Sequence, residues 1–299
     1  MSGKIVVIGS SNTDMTAFAD KMPLPGETVM GNEFVIGPGG KGANQAVAAK
    51  RLGGDVSFIC KVGNDIFGDN TVKHFLEEGL DPKGIMRSSK PSGVALITVD
   101  RNAENCIVVA PGANADYTEE DIRGCRETIE GCDILLMQLE IPVPAVMEAA
   151  KIASSKGKTV VLNPAPACNL PEEIFKYVSL LIPNENELGL ITGLSVVDEE
   201  SAAKAAGVLM EKGVGKVIVT MGSKGSLVCG GGAPVMVKAM KVEAVDTSGA
   251  GDCYCGALCV ALSEGKDLKE AAEFASKASA LSVRKAGAQN SMPYRNEII

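Results

Sequence analysis

Asp252 stands at the end of the run Asp246-Thr247-Ser248-Gly249-Ala250-Gly251-Asp252, directly ahead of the apolar helical stretch 253–262. Gly249, Ala250 and Gly251 leave the start of that helix bare, so its N–H groups and dipole are open to negative charge such as that on a transferring phosphoryl group. An aspartate in the first turn, expected to stay ionised beside this positive end, is placed to take a proton from an attacking alcohol. The same residues also read as a capping cluster in which Asp246 or Asp252 only satisfies the helix start. A second run, Gly39-Gly40-Lys41-Gly42-Ala43-Asn44, offers a tight turn, free N–H groups, an ammonium and a side-chain amide, which suits hydroxyl binding. It too has a plainer reading, as a turn that opens a helix.

Other glycine chemistries fit worse. Residues 37–42 formally satisfy G-x-G-x-x-G with Asp55 further on, but Asp55 precedes a strand-like run instead of ending one, and the glycines do not follow the first strand. A P-loop fails because Val35 stands where glycine is needed and Gly42 where Ser or Thr should follow the lysine.

The elements that position these runs alternate. Residues 5–8, 56–60, 134–137, 159–162, 180–182 and 217–220 read as buried strands, while Val143, Val146, Met147, Ala150 and Leu268, Ala271, Ala272, Ala275 repeat at helical spacing. Such alternation predicts a mostly parallel sheet covered on both faces. Two stretches break the rhythm: residues 15–36, and 93–110, whose strand-like runs flank a turn at 100–104. They are expected to form a small antiparallel lid inserted into one domain spanning 1–299. Val94, Leu96 and Ile107 should be exposed there in a monomer and covered in a homodimer.

Composition narrows the classes further. With 299 residues, 45% hydrophobic and 22% charged, the chain can bury a large core. No signal sequence or membrane span is read near the start or elsewhere. Nine cysteines without C-x-x-C pairs suit a reducing cytosol, and the cluster Cys253, Cys255 and Cys259 reads as small core hydrophobes. A net charge of −8 without a basic cluster argues against nucleic acid as a partner. The expected location is cytoplasmic, with no membrane partner.

Seven pieces in order resemble the ribokinase-like, or phosphofructokinase B, sugar-kinase family: residues 9–14 (GSSNTD), 25–28 (PGET), 39–46 (GGKGANQA), 137–140 (MQLE), 163–166 (NPAP), 183–187 (PNENE) and 246–252. GGKGANQA with MQLE resembles the ribokinase branch more than fructokinase or adenosine kinase relatives. The resemblance implies a three-layer α/β sandwich with a β lid, and ATP-dependent phosphorylation of D-ribose at its 5-hydroxyl. It implies that Asn12, Asp14, Gly40, Lys41, Asn44 and Glu140 bind ribose. By the same resemblance Asn184 and Glu187 lie near the ATP phosphates and Mg²⁺, with Thr220, Gly222, Ser223 and Gly225 along the nucleotide and Gly251 and Asp252 at the reacting centre. A K⁺ site is also implied, from the Asp246 side chain, backbone oxygens of Ser248, Ser282, Lys285 and Gly287, and the Ser291 hydroxyl. One departure is Ser276, which stands where that branch commonly has a histidine near the adenine. The readings left beside ribose are another neutral sugar, a nucleoside, or a sugar- or nucleotide-binding regulator without turnover.

Overall fold

The computed structural model describes residues 2–102 and 104–298. In chain order its strands are β1 (Lys4–Ile8), β2 (Asn12–Ala19), β3 (Gly31–Gly39), β4 (Asp55–Gly63), β5 (Ile85–Ser88), β6 (Gly93–Val99), β7 (Asn105–Ala110), β8 (Ile134–Met137), β9 (Thr159–Leu162), β10 (Leu180–Leu181), β11 (Lys216–Thr220), β12 (Gly225–Cys229) and β13 (Val235–Lys238). Its helices are α1 (Lys41–Arg51), α2 (Ile66–Glu77), α3 (Glu119–Gly124), α4 (Arg126–Glu130), α5 (Val143–Ser155), α6 (Glu185–Thr192), α7 (Glu199–Glu211), α8 (Ala250–Ser263) and α9 (Leu268–Ser282).

Nine strands form one sheet in the order β13-β12-β11-β10-β9-β8-β1-β4-β5. All neighbours are parallel except β11–β12 and β12–β13. Strand alternation divides the core in two. Ile5, Val7, Leu136 and Ile218 join the residues of α1, α8 and α9 on one face, whereas Val6, Ile8, Leu135 and Val219 join those of α5 and α7 on the other. Strands buried on both sides must be apolar throughout, which is why β1 and β8 read as unbroken hydrophobic runs.

The second sheet, β3-β2-β6-β7, stands apart from the first. β2 is antiparallel to β3 and parallel to β6, and β7 closes a hairpin on β6. Its register puts Asp14, Thr16, Val35, Ala95, Ile97, Ile107 and Val109 on one face, and Met15, Phe34, Ile36, Leu96 and Val108 on the other.

Several expectations need correction. The first lid stretch, expected over residues 15–36, starts earlier and ends later: Asn12 and Asp14 already belong to β2, because the Gly9-Ser10-Ser11 break is immediately followed by extended backbone paired to β3, which runs on to Gly39. The strand read at 180–182 is only Leu180–Leu181. Val94 is half-buried, since β6 is a central strand of its sheet, and Ile107 faces the Asp14 side, opposite Leu96. Leu96 and Ile107 are both about half exposed, at 51% and 53%.

Candidate active site

The C-terminal ends of β1 and β8, the start of α1, the start of α8 and the Asp14 face of the second sheet converge. Gly40 precedes α1 with φ 89°, and a Cβ there would lie 2.8 Å from the Asn12 nitrogen, so only glycine lets this turn close against β2. The turn is tied to the loop after β8: the Lys41 backbone N–H donates to Glu140 Oε2 at 2.9 Å, and Ser10 Oγ donates to the same oxygen at 2.5 Å. Asn114 Nδ2 donates to Asn12 Oδ1 at 2.7 Å, which fixes that buried amide.

Asp14, Glu140 and Asp252 thus share one site with the Lys41 ammonium. Burial first, then the Glu140 and Asp252 charges, push Asp14 up to about 6. The Asp252 charge above all, and then that of Glu140, raises Lys41 and keeps it cationic. Burial pushes Asp252 above the usual carboxylate range, opposed by Lys41 and two amides. The environment of Asp252 is therefore set by enclosure in the core more than by the helix end assumed from sequence.

Neither Asp246 nor Asp252 caps α8. The helix starts from Gly249 at φ 71° with no side-chain cap, so the bare start is a property of the fold. Asp252 Oδ2 instead accepts from Asn44 Nδ2 at 2.9 Å, and Oδ1 from Gln45 Nε2 at 3.0 Å. Asn44 is engaged at both ends, because its Oδ1 accepts from Gln289 Nε2 at 3.1 Å.

On the other side of the α8 start lies a cleft of about 870 Å³. Asn184, Thr220, Gly222, Ser223, Gly225, Gly251 and Ser276 all line it, as does Ala250. Ser276 Oγ also lies 3.5 Å from the Lys238 carbonyl oxygen at the end of β13, a long and weak contact. Asn184 and Glu187 form a reciprocal capping box at the start of α6, each side chain accepting the other's backbone N–H at 2.8 Å. Glu187 also senses Lys41 and Asp252, and burial raises its carboxyl.

Asp246 joins two loops. Its oxygens accept the N–H groups of Ser248 and Gly287, each at 2.8 Å. Burial opposes its charge, yet these N–H groups outweigh it and hold the carboxyl below its usual range. Ser282 Oγ donates to the Ser279 carbonyl and Ser291 Oγ to that of Ala288, while the Lys285 N–H donates to the Ser282 carbonyl. The Ser291 hydroxyl, the loop carbonyls and the Asp246 carboxylate are all oxygen atoms, hard donors in kind.

Residues that the sequence reading quoted only as parts of motifs, or passed over, also build this site: Ser10, Gln45, Asn114, Gln138, Asn163 and Gln289. The legible signal was the adjacent pair Asn44-Gln45 inside an otherwise alanine-rich buried helix, since buried amides must find partners.

A three-layer sandwich with a β lid, a bare helix start carrying a buried aspartate, and a cleft beside it define a carbohydrate kinase, and residues 2–295 match the pfkB family carbohydrate kinases. The chain belongs to that family. Among its relatives it is 43% identical to a ribokinase of Haemophilus influenzae, covering 100% of this chain and 98% of that one. It is 39% identical to a deoxyribokinase of Salmonella typhi, over 97% and 95% of the two chains. The structure of Arabidopsis thaliana ribokinase complexed with ribose and ATP superposes with a TM-score of 0.92 at 31% identity, covering 100% of this chain and 98% of that chain.

Proposed function

We propose that this chain transfers the γ-phosphoryl group of ATP to the 5-hydroxyl of D-ribose, giving D-ribose 5-phosphate and ADP. The observation that carries the reading is the position of Asp252: buried, uncommitted to capping α8, and lying between the carboxylates Asp14 and Glu140 on one side and the cleft on the other. Ribose sits against Asp14, Asn12 and Glu140, which bind its hydroxyls, with Gly40, Lys41 and Asn44 closing the turn above it. ATP lies in the cleft along Thr220 to Gly225, its γ-phosphate toward Gly249, Ala250 and Gly251. Asp252 accepts the proton of the 5-hydroxyl as that oxygen bonds to the γ-phosphorus. The bond from phosphorus to the β–γ bridging oxygen breaks, and its electron pair leaves with ADP. The bare N–H groups of α8 and the Lys41 ammonium offset the charge on the transferring group.

Glu187 and Asn184 are the residues that would hold Mg²⁺ with the phosphates, and one half-buried carboxylate suits an ion that is bound mainly by phosphate and water. When bound, Mg²⁺ neutralises phosphate charge. Asp246, the carbonyls of Ser248, Ser282, Lys285 and Gly287, and the Ser291 hydroxyl would hold K⁺, which supplies a fixed charge that rigidifies the loops joined by Asp246. The protein works in the cytoplasm as a homodimer. Its interface is the lid face opposite Asp14, where Phe34, Ile36, Leu96 and Val108 are all more than half exposed.

The test is an assay coupled to ADP formation with ribose, deoxyribose, fructose and adenosine. Ribose is expected to give the highest kcat/KM. ADP release no faster than background with all four, or a preference for adenosine, contradicts the assignment.

A further inference from the structure

We infer that Gln45 is a positioning residue for phosphoryl transfer, one that fixes the orientation of the Asp252 carboxylate through a buried chain of amides running to β8 and β9.

Gln45 is fully buried and reaches three groups at once. Its Nε2 donates to Asp252 Oδ1 at 3.0 Å and to Asn163 Oδ1 at 3.1 Å, and its Oε1 accepts from Gln138 Nε2 at 2.6 Å. The orientation of each amide is set by the next. Asn163 Nδ2 donates to the Ile182 carbonyl at 2.9 Å, so Asn163 must turn its oxygen toward Gln45. Gln138 brings its NH₂ to Gln45, so Gln45 must turn its own NH₂ toward Asp252. A reversed Gln45 would set an oxygen against a carboxylate. The arrangement leaves a mark: Gln138 Oε1 is the one buried side-chain oxygen or nitrogen without a partner among the described residues. Such an orphan is unfavourable in a core, and it persists here because the opposite end of the same amide is needed for Gln45.

Backbone packing holds the pair in register. Gly256 lies one turn after Asp252 on α8, and a Cβ there would fall 2.7 Å from the Gln45 carbonyl oxygen and 2.9 Å from Ala48 Cβ. The missing side chain lets α1 and α8 approach until Gln45 spans to Asp252. Asn44 holds the other carboxylate oxygen and is itself held by Gln289. Both oxygens are thus directed by amides whose positions are fixed elsewhere, and the base is oriented before any substrate arrives. A donor aimed at the charged form also favours that form, so Gln45 keeps a buried carboxyl available as a base.

The inference rests on Asp252 being the base, and the test separates the two. Asp252 ionisation is read without turnover by NMR of protein carrying ¹³C in its aspartate carboxyls, the Asp252 signal being identified by its loss in Asp252→Asn. In Gln45→Met, of similar length but without the donor, that signal should titrate at least about half a pH unit higher. In the same variant kcat should fall roughly 10- to 100-fold with the ribose KM within about threefold of wild type. Gln138→Met, which removes the group orienting Gln45, should move both quantities in the same direction by less, and it decides the matter alone should Gln45→Met fail to fold. An unmoved Asp252 titration overturns the inference even if turnover falls, because loss of packing alone would leave that signal in place. Wild-type turnover as fast in Gln45→Met overturns it as well. Absence of ribose phosphorylation in the wild type instead removes the assignment of function and leaves the titration to be judged by itself.

Discussion

Asp14 holds a charge that the fold resists. Its carboxyl moves from 3.8 up to about 6 through burial and the neighbouring Glu140 and Asp252 charges. A raised folded value means that the protonated form favours folding: the gain is complete below about pH 3.8 and lost as pH rises through about 6. Above pH 6 the ionised side chain therefore costs stability, and the proposed function gives that charge a use in binding sugar. Asp14→Asn should stabilise the free protein by about 1–2 kcal/mol at pH 7.5, while raising the ribose KM at least about tenfold and the ATP KM far less. Thermal unfolding at pH 7.5 and pH 4.5 checks the first part, because the stabilisation should shrink at the lower pH; initial-rate kinetics check the second. A variant less stable than wild type at both pH values, with both KM values moved alike, goes against this account of Asp14. At this scale sequence was a partial guide. The run 246–252 suggested proton chemistry and the family resemblance brought in residues 12, 14 and 140, but the amides around Asp252 come from helix α1, the residues just after β8 and β9 and the loop after α9, and no spacing along the chain relates residues 45, 138, 163 and 289.

Among the elements, the second sheet carries apolar side chains on both faces, with Val35, Ile107 and Val109 beside Asp14 and Phe34, Ile36, Leu96 and Val108 behind it. In the function proposed above, one face closes over the sugar and the other meets a second copy of the chain. Replacing Leu96 and Val108 by Glu together should convert a dimer to monomer in sedimentation velocity at micromolar concentration, because paired like charges on neighbouring strands would have to be desolvated on association. A wild type that sediments only as monomer removes the dimer, and a double variant that stays dimeric moves the interface elsewhere. The buried strands β1, β8, β9 and β11 were legible because burial on both faces leaves only β-branched and aliphatic residues. β2 was legible only in part: its residues from 15 onward were expected in the lid, but its start at Asn12 was not, since the polar residues Asn12, Thr13 and Asp14 leave no hydrophobic run there. β12 and β13 escaped for a related reason: they form an antiparallel edge around a glycine-rich turn.

Across the whole molecule, the proposed site lies where the two sheets, α1, α8 and the loop after α9 meet, so the account predicts that loops away from the substrates influence the rate. Asp246 ties the stretch before α8 to Gly287, and Gln289 in the same loop reaches Asn44 and through it Asp252. K⁺ should raise kcat more than it lowers either KM, with Na⁺ a poor substitute, and Asp246→Ala should abolish the response. Titrating KCl against tetramethylammonium chloride at constant ionic strength reads this directly; turnover independent of K⁺ would leave Asp246 as a loop tie alone. The central claim, that Asp252 is the base of a sugar kinase, is tested most directly by Asp252→Asn, with ADP formation followed in single turnovers and ribose and ATP affinities measured by calorimetry. A loss of more than about 10³ in the rate with both affinities within a few-fold of wild type is the predicted result; near-normal turnover in the variant would contradict it.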